Sequence, residues 1–316
     1  NTAVGSASLS ENTTGSDNTG LGYGALNQVT TGSSNVAVGA NALDASTTAS
    51  NNTAIGYDAL SSVTAAAEHV AIGSRALKTN TTGADNTAAG FSALELNTTG
   101  SYNTAVGGMA LEANTTGDSN TAIGFNALTT ATASYNVAVG YDCMKLNTTG
   151  NSNVAIGYQC MDANTTGNAN CAVGTGALGA NTTSAENTAL GSVALKENTT
   201  GNQNTAVGRQ SSMNNTTGAQ NTSVGYYSLF TNTTGSQNTA IGALSLDANT
   251  TASYGTAIGW GALSANTTGA NNTAVGHNTL ATNTTGSENV AVGRIALSAN
   301  TTGTNNIGIG YGALDA

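Results

Sequence analysis

The sequence repeats itself every 17 residues. Aligned on the glycine that follows N-T-A-V, it presents Gly5, Gly22, Gly39, Gly56, Gly73, Gly90, Gly107, Gly124, Gly140, Gly157, Gly174, Gly191, Gly208, Gly225, Gly242, Gly259, Gly276, Gly293 and Gly310, nineteen units in all. Seventeen of the eighteen spacings are 17 residues, and the one from Gly124 to Gly140 is 16. The consensus N-T-A-V-G-x-x-A-L-x-x-N-T-T-G-x-x admits few folds. Helical repeats of tetratricopeptide or ankyrin type need about 33 residues, and the leucine-rich pattern is missing. One turn of a parallel β-solenoid fits: T-A-V or V-A-I alternates as a strand does, and Gly and Asn supply the corners. Positions are numbered from the Asn of N-T-A-V, so the aligned glycine is position 5.

A second, weaker strand is expected through the A-L pair at positions 8 and 9. Position 2 is Thr or a small apolar residue (Val36, Val70, Val137, Val154, Cys171, Val290, Ile307), position 4 is Val, Ile or Leu except at Ala89, and position 9 is Leu or Met except at Ser212. These three positions are expected to face the interior. Position 3 would then face outward, yet it is Ala in sixteen units and Gly20, Ser223 or Gly308 in the others. A solvated position would drift to Lys, Glu or Gln, so neighbouring chains are expected to press on the alanines. Three inward apolar side chains per turn are little to set against an ordering entropy of about 1–2 kcal/mol per residue, and partner chains would supply the missing burial. Turns stacked at strand spacing would make a rod of about 85–90 Å.

Composition bears on what such a chain does. With 41 Gly, no Pro and 7% charged residues it lacks the charge or proline content of disordered chains. The net charge of −10 is diffuse, and the six basic residues, Arg75, Lys78, Lys145, Lys196, Arg209 and Arg294, form no patch. That argues against nucleic acid and against anionic membrane surfaces. No apolar run reaches the length of a membrane span, and Asn1-Thr2-Ala3-Val4-Gly5 has no signal-peptide shape. Both ends fall inside the repeat, so residues 1–316 read as one uninterrupted repeat domain whose caps and anchor are expected outside this segment.

The runs Asn35-Val36-Ala37-Val38-Gly39, Asn136-Val137-Ala138-Val139-Gly140, Asn153-Val154-Ala155-Ile156-Gly157 and Asn289-Val290-Ala291-Val292-Gly293 resemble the head repeats of trimeric autotransporter adhesins, the YadA-like left-handed parallel β-roll, and similar repeats of phage tail fibres. The resemblance covers the whole chain. It implies an all-β solenoid of about 18–19 coils, a side-by-side homotrimer and an extracellular, cell-surface or virion fibre. The turn here is longer than in that family by its N-T-T-G-x-x corner.

Candidate chemistry is sparse. His69 and His277 lie far apart along the stack and offer no catalytic pairing, so no enzyme and no cofactor are expected. Cys143 and Cys160 share position 8 of adjacent units, within disulfide reach of stacked turns, with Cys171 in the next unit; small buried residues in place of Ala are the simpler reading, and a cysteine pair alone lacks the ligands for a metal. Asn opens 17 of the 19 units, His69 and Gly255 being the exceptions, as expected of a stacked amide ladder. The second Asn heads an N-x-T sequon at Asn12, Asn80, Asn97, Asn114, Asn147, Asn164, Asn181, Asn198, Asn215, Asn232, Asn249, Asn266, Asn283 and Asn300. These are glycosylation candidates if the corner is an exposed loop, although Asn, Thr and Gly also suit a tight turn. Position 6 carries Tyr23, Tyr57, Phe91, Phe125, Tyr141, Tyr158, Tyr226, Trp260 and Tyr311, rings placed to shield an inter-chain groove or to touch sugars and host surface receptors. Charge gathers at position 10, marking a solvated edge.

Three functions compete on these residues. The leading one is a structural fibre or adhesin segment acting through self-association and multivalent contacts. A glycosylated self-assembling surface filament is the second. Ice binding by Thr ladders is the third, and an inward position 2 would count against it.

Overall fold

A computed structural model describes residues 1–315. The chain is an all-β parallel solenoid of about 18 turns with 17-residue rungs, and the described residues contain nineteen three-residue strands and no helix. It divides into two compact units, Asn1–Asn153 and Val154–Ala316. Within the first, strands from Thr2–Val4 to Val137–Val139 stack in chain order; within the second, strands from Val154–Ile156 to Ile307–Ile309 do the same.

Pairing joins like positions. Thr104 faces Thr121, Ala105 faces Ala122 and Val106 faces Ile123, and Thr239, Ala240 and Ile241 meet Thr256, Ala257 and Ile258 in the same way. Position 5 holds that register. Gly208 has φ +131°, and a Cβ there would lie 2.6 Å from the Gly225 carbonyl oxygen of the next turn, a conformation and a contact only glycine accommodates.

The segment after this glycine is not a second strand. Position 8 donates to the position 5 carbonyl and position 12 to that of position 9, as in Ala110 N–H to Gly107 O (3.4 Å) and Asn114 N–H to Leu111 O (3.1 Å). Two linked tight turns result, and non-glycine residues at positions 7 and 9 take left-handed angles, for example Met109 (φ +58°) and Leu111 (φ +53°). The left-handed region costs about 1–2 kcal/mol for an L-residue. It also swings the leucine fully into the interior, where Leu111 is 0% exposed, and burying that side chain contributes about 1.5–3 kcal/mol.

The interior is the reverse of what alternation alone indicated. Position 3 is the inward one: Ala37, Ala54, Ala105, Ala122, Ala206 and Ala274 are all completely buried. Positions 2 and 4 point outward, and of the three positions expected to face inward only position 9 does, as Leu111 and Met144 show at 0% exposure. The reason is space. A Cβ added to Gly308 would lie 3.0 Å from Leu297 Cγ, and one added to Gly20 would lie 2.5 Å from Ser8 Oγ. The strand therefore packs on positions 8 and 9 of the same solenoid with room for little more than a methyl group, a serine fitting at position 3 only as Ser223, where Ser212 stands in place of the leucine, so the alanines are small because the core behind them is narrow.

Two asparagine columns complete the interior. At position 1, Asn103 Nδ2 donates to the Gly117 carbonyl of its own turn (2.8 Å), while Asn103 Oδ1 accepts from the Asn120 N–H (2.9 Å) and Nδ2 (3.1 Å). At position 12, Asn97 Nδ2 donates to Asn80 Oδ1 (2.7 Å) and to Gly100 O (2.9 Å). The Gly100 carbonyl also takes the position 1 amide of Asn86 (2.8 Å), so one carbonyl ties both columns together. The second unit repeats this at Gly235, which accepts from Asn221 (2.8 Å) and Asn232 (2.9 Å). Buried amides are tolerated because nearly every donor and acceptor is used.

Candidate functional site

Turning position 3 inward exposes a sheet face made only of positions 2 and 4. Position 4 is apolar in every turn, and Ile55, Ile72, Val106, Ile123, Val173, Leu190, Ile241, Ile258 and Val292 are all exposed. Beside them runs the position 2 column, Thr in twelve turns and Val, Cys171 or Ile307 in the others. Neither column contains a charged residue. At about 4.8 Å per turn and about 7 Å between the columns, each unit presents an apolar strip on the order of 300–400 Å², the size at which exposed patches on soluble proteins mark binding surfaces.

The position 6 rings, Tyr23, Tyr57, Phe91, Phe125, Tyr141, Tyr158, Tyr226, Trp260 and Tyr311, lie just past the glycine corner and are all 44–73% exposed. Several meet a group from a neighbouring turn. Phe125 stacks on Tyr141 with centroids 5.9 Å apart, Trp260 stacks on His277 at 5.0 Å, and Arg75 lies 4.8 Å over the Phe91 ring. Arg209 and Arg294 sit likewise over Tyr226 and Tyr311. Among the described residues, four of the six basic side chains also pair with acids: Arg75 with Glu95, Lys78 with Asp58, Lys145 with Asp142 and Lys196 with Glu197.

The sequon asparagines do not lie in an exposed loop, which corrects the expectation for that corner. Asn80, Asn97, Asn114, Asn147, Asn164, Asn181, Asn198, Asn215, Asn232, Asn249, Asn266 and Asn283 are at most 1% exposed. Asn12 and Asn300 are half-buried and make the same bond, to Gly15 O (3.1 Å) and Gly303 O (3.1 Å). The nitrogen that would carry a sugar is the one that closes the turn. The two threonines that follow behave differently from each other. Position 13 hydroxyls donate to the position 13 carbonyl one turn on, as Thr216 does to Thr233 (3.0 Å), while position 14 threonines such as Thr217 stand exposed.

His69 occupies the position 1 column, 1% exposed, in the place that asparagine takes in the turns on either side. Its Nδ1 accepts from the Asn86 N–H (3.2 Å), and its Nε2 lies 3.1 Å from Asn80 Nδ2. Burial holds its pKa below the ordinary 6.5. Cys143 and Cys160 fill the buried position 8 as thiols, where alanine stands in most turns, and Cys160 Sγ contacts the Ala172 carbonyl (3.3 Å). Ser212 and Ser223, which break the consensus at positions 9 and 3, come together: their hydroxyls are 2.8 Å apart, and Ser211 Oγ donates to Ser223 Oγ (2.6 Å).

Sequence reasoning passed over position 17, where Tyr102, Tyr135 and Tyr254 are 58–65% exposed in left-handed backbone. One of the three, Tyr135, ends the 16-residue turn that the short Gly124–Gly140 spacing marks. Compared with models of known protein families and with curated proteins, the sequence matches none of either.

Proposed function

We propose that the chain is a segment of an extracellular fibre or adhesin, a non-enzymatic scaffold that packs side by side with copies of itself, three in the simplest arrangement, through the position 2 and 4 face. The observation that carries this reading is the outward ladder at position 4 in each unit, Val, Ile or Leu in every turn but that of Ala89, with no charge beside it. Water-exposed apolar columns of this length are costly to leave open, and burial contributes about 25 cal/mol per Å². A second copy of the same ladder is a surface of matching period. The alanine stripe plays no part in the contact. Sedimentation equilibrium tests it: the expected mass is a multiple of the 30.8 kDa chain, and a monomer at all concentrations overturns the assembly.

The outward Thr column favours a second reading. A flat, uncharged array of Thr beside Val and Ile orders water at a fixed period, which is what an ice-binding surface requires. Both readings use the same face, and thermal hysteresis in a purified sample separates them, since a face covered by other copies is closed to ice.

A further inference from the structure

The single short turn, residues 120–135, leaves a notch in the surface. Hydrogen bonds identify which residue is missing. Thr132 donates through N and Oγ1 to the Thr148 carbonyl (3.0 and 3.2 Å), the part played by position 13 elsewhere. Ala133 O accepts from Asn120 Nδ2 (2.8 Å), the part of position 15. The omitted residue is therefore the outward threonine of position 14, present as Thr116 one turn before and Thr149 one turn after. Its absence opens a cavity of about 510 Å³ between Thr132 and Ser134 on one side and Thr149 and Ser152 on the other, with Tyr135 on its wall. No charged side chain lines it.

We infer that this notch binds one pyranose ring of a neutral glycan. Its size falls in the range of small-molecule sites, about 300–1,000 Å³. Tyr135 is 64% exposed, and its backbone is held by its N–H bond to the Asp118 carbonyl (3.0 Å). An aromatic face carries partial negative charge and takes the polarised C–H groups of a sugar face, while the exposed hydroxyls of Thr149 and Ser152 can exchange hydrogen bonds with the sugar's rim. A lining without charge selects against phosphorylated, sulfated or sialylated ligands. Tyr102 stands at the same position two turns earlier, 65% exposed, about 9.6 Å away along the stack, so a chain of sugars leaving the notch meets a second ring.

Saturation-transfer NMR with the methyl glycosides of glucose, galactose, mannose and N-acetylglucosamine at millimolar concentration tests this. Transfer to the ring C–H protons of at least one glycoside is expected. Tyr135→Ala, and separately a threonine inserted between Thr132 and Ala133 to restore the 17-residue turn, should each reduce it at least tenfold while circular dichroism and melting stay native. Tyr254→Ala, which removes an exposed position 17 ring beside a full-length turn, should leave it unchanged. No transfer to any of the four, transfer that survives the insertion, or equal loss in Tyr254→Ala overturns the assignment.

Discussion

At the scale of single residues, the interior shows how a departure from the repeat is accommodated. His69 works in the asparagine column only while neutral, because its Nδ1 must accept from Asn86. Its folded pKa is depressed by burial, so the unfolded chain binds the proton more readily. The stability it contributes is present above pH 6.5 and is lost as pH falls through the folded value. Thermal melting of His69→Asn between pH 7.5 and 5 should show a flatter pH dependence than the native chain, with the difference confined to the acid side. The serine cluster makes a second case. Ser223→Ala alone strands the Ser212 hydroxyl in the core and should cost about 1–3 kcal/mol in urea unfolding. Restoring the consensus at all three sites, Ser211→Ala, Ser212→Leu and Ser223→Ala, should recover that loss and add stability, since a buried leucine replaces a buried hydroxyl.

At the scale of one turn, the period, the strand and the glycine corner were all legible in the sequence, and the direction of the strand's two faces was not. Ala at position 3 and Val or Ile at position 4 are both uncharged, and hydrophobicity ranks the larger residue as the inward one. What decides the matter is the depth of the space behind the strand, which depends on Leu at position 9 taking left-handed angles that sequence does not advertise for leucine. The same angles removed the expected second strand. Position 12 was ambiguous for another reason: N-T-T reads equally as a sugar acceptor and as a corner, and only the bond from Nδ2 to the position 15 carbonyl distinguishes them. The repeat does carry a trace of that bond. Most asparagines at position 12 are followed by glycine at position 15, and there the Oδ1 lies 2.3–2.9 Å from where a Cβ on that glycine would sit, as at Gly83, Gly117 and Gly303; the pairing is loose, since Asn181 and Asn249 precede Ser184 and Ala252 while Val29 precedes Gly32. Two substitutions in one strand test the inversion. Ala122→Val should destabilise by about 1–3 kcal/mol through overpacking, whereas Thr121→Val, outward, should fall within about 0.5 kcal/mol of the native chain. Gly208→Ala, which forces a methyl onto the Gly225 carbonyl, should cost about 1–3 kcal/mol in backbone strain or more with the clash.

At the scale of the molecule, identical turns turn one side-chain choice into a column, so self-association is sensitive to isolated charges. Ile123→Lys in the first unit and Ile241→Lys in the second each place an ammonium in the apolar strip without touching the interior. If copies pack through this face, the double variant should sediment as a monomer with unchanged circular dichroism. The notch in the short turn, residues 120–135, interrupts only the threonine corner and should be unaffected by it.

The amide columns give any stack of these turns a direction. In both of them the side-chain nitrogen reaches back to the oxygen of the turn before, so a cut across the solenoid exposes side-chain donors on one surface and bare acceptors on the other. Two stacks can therefore continue one another head to tail, but two like ends meet donor against donor or acceptor against acceptor. Growth or splicing of such a solenoid is one-way by its hydrogen bonding, whatever its sides adhere to.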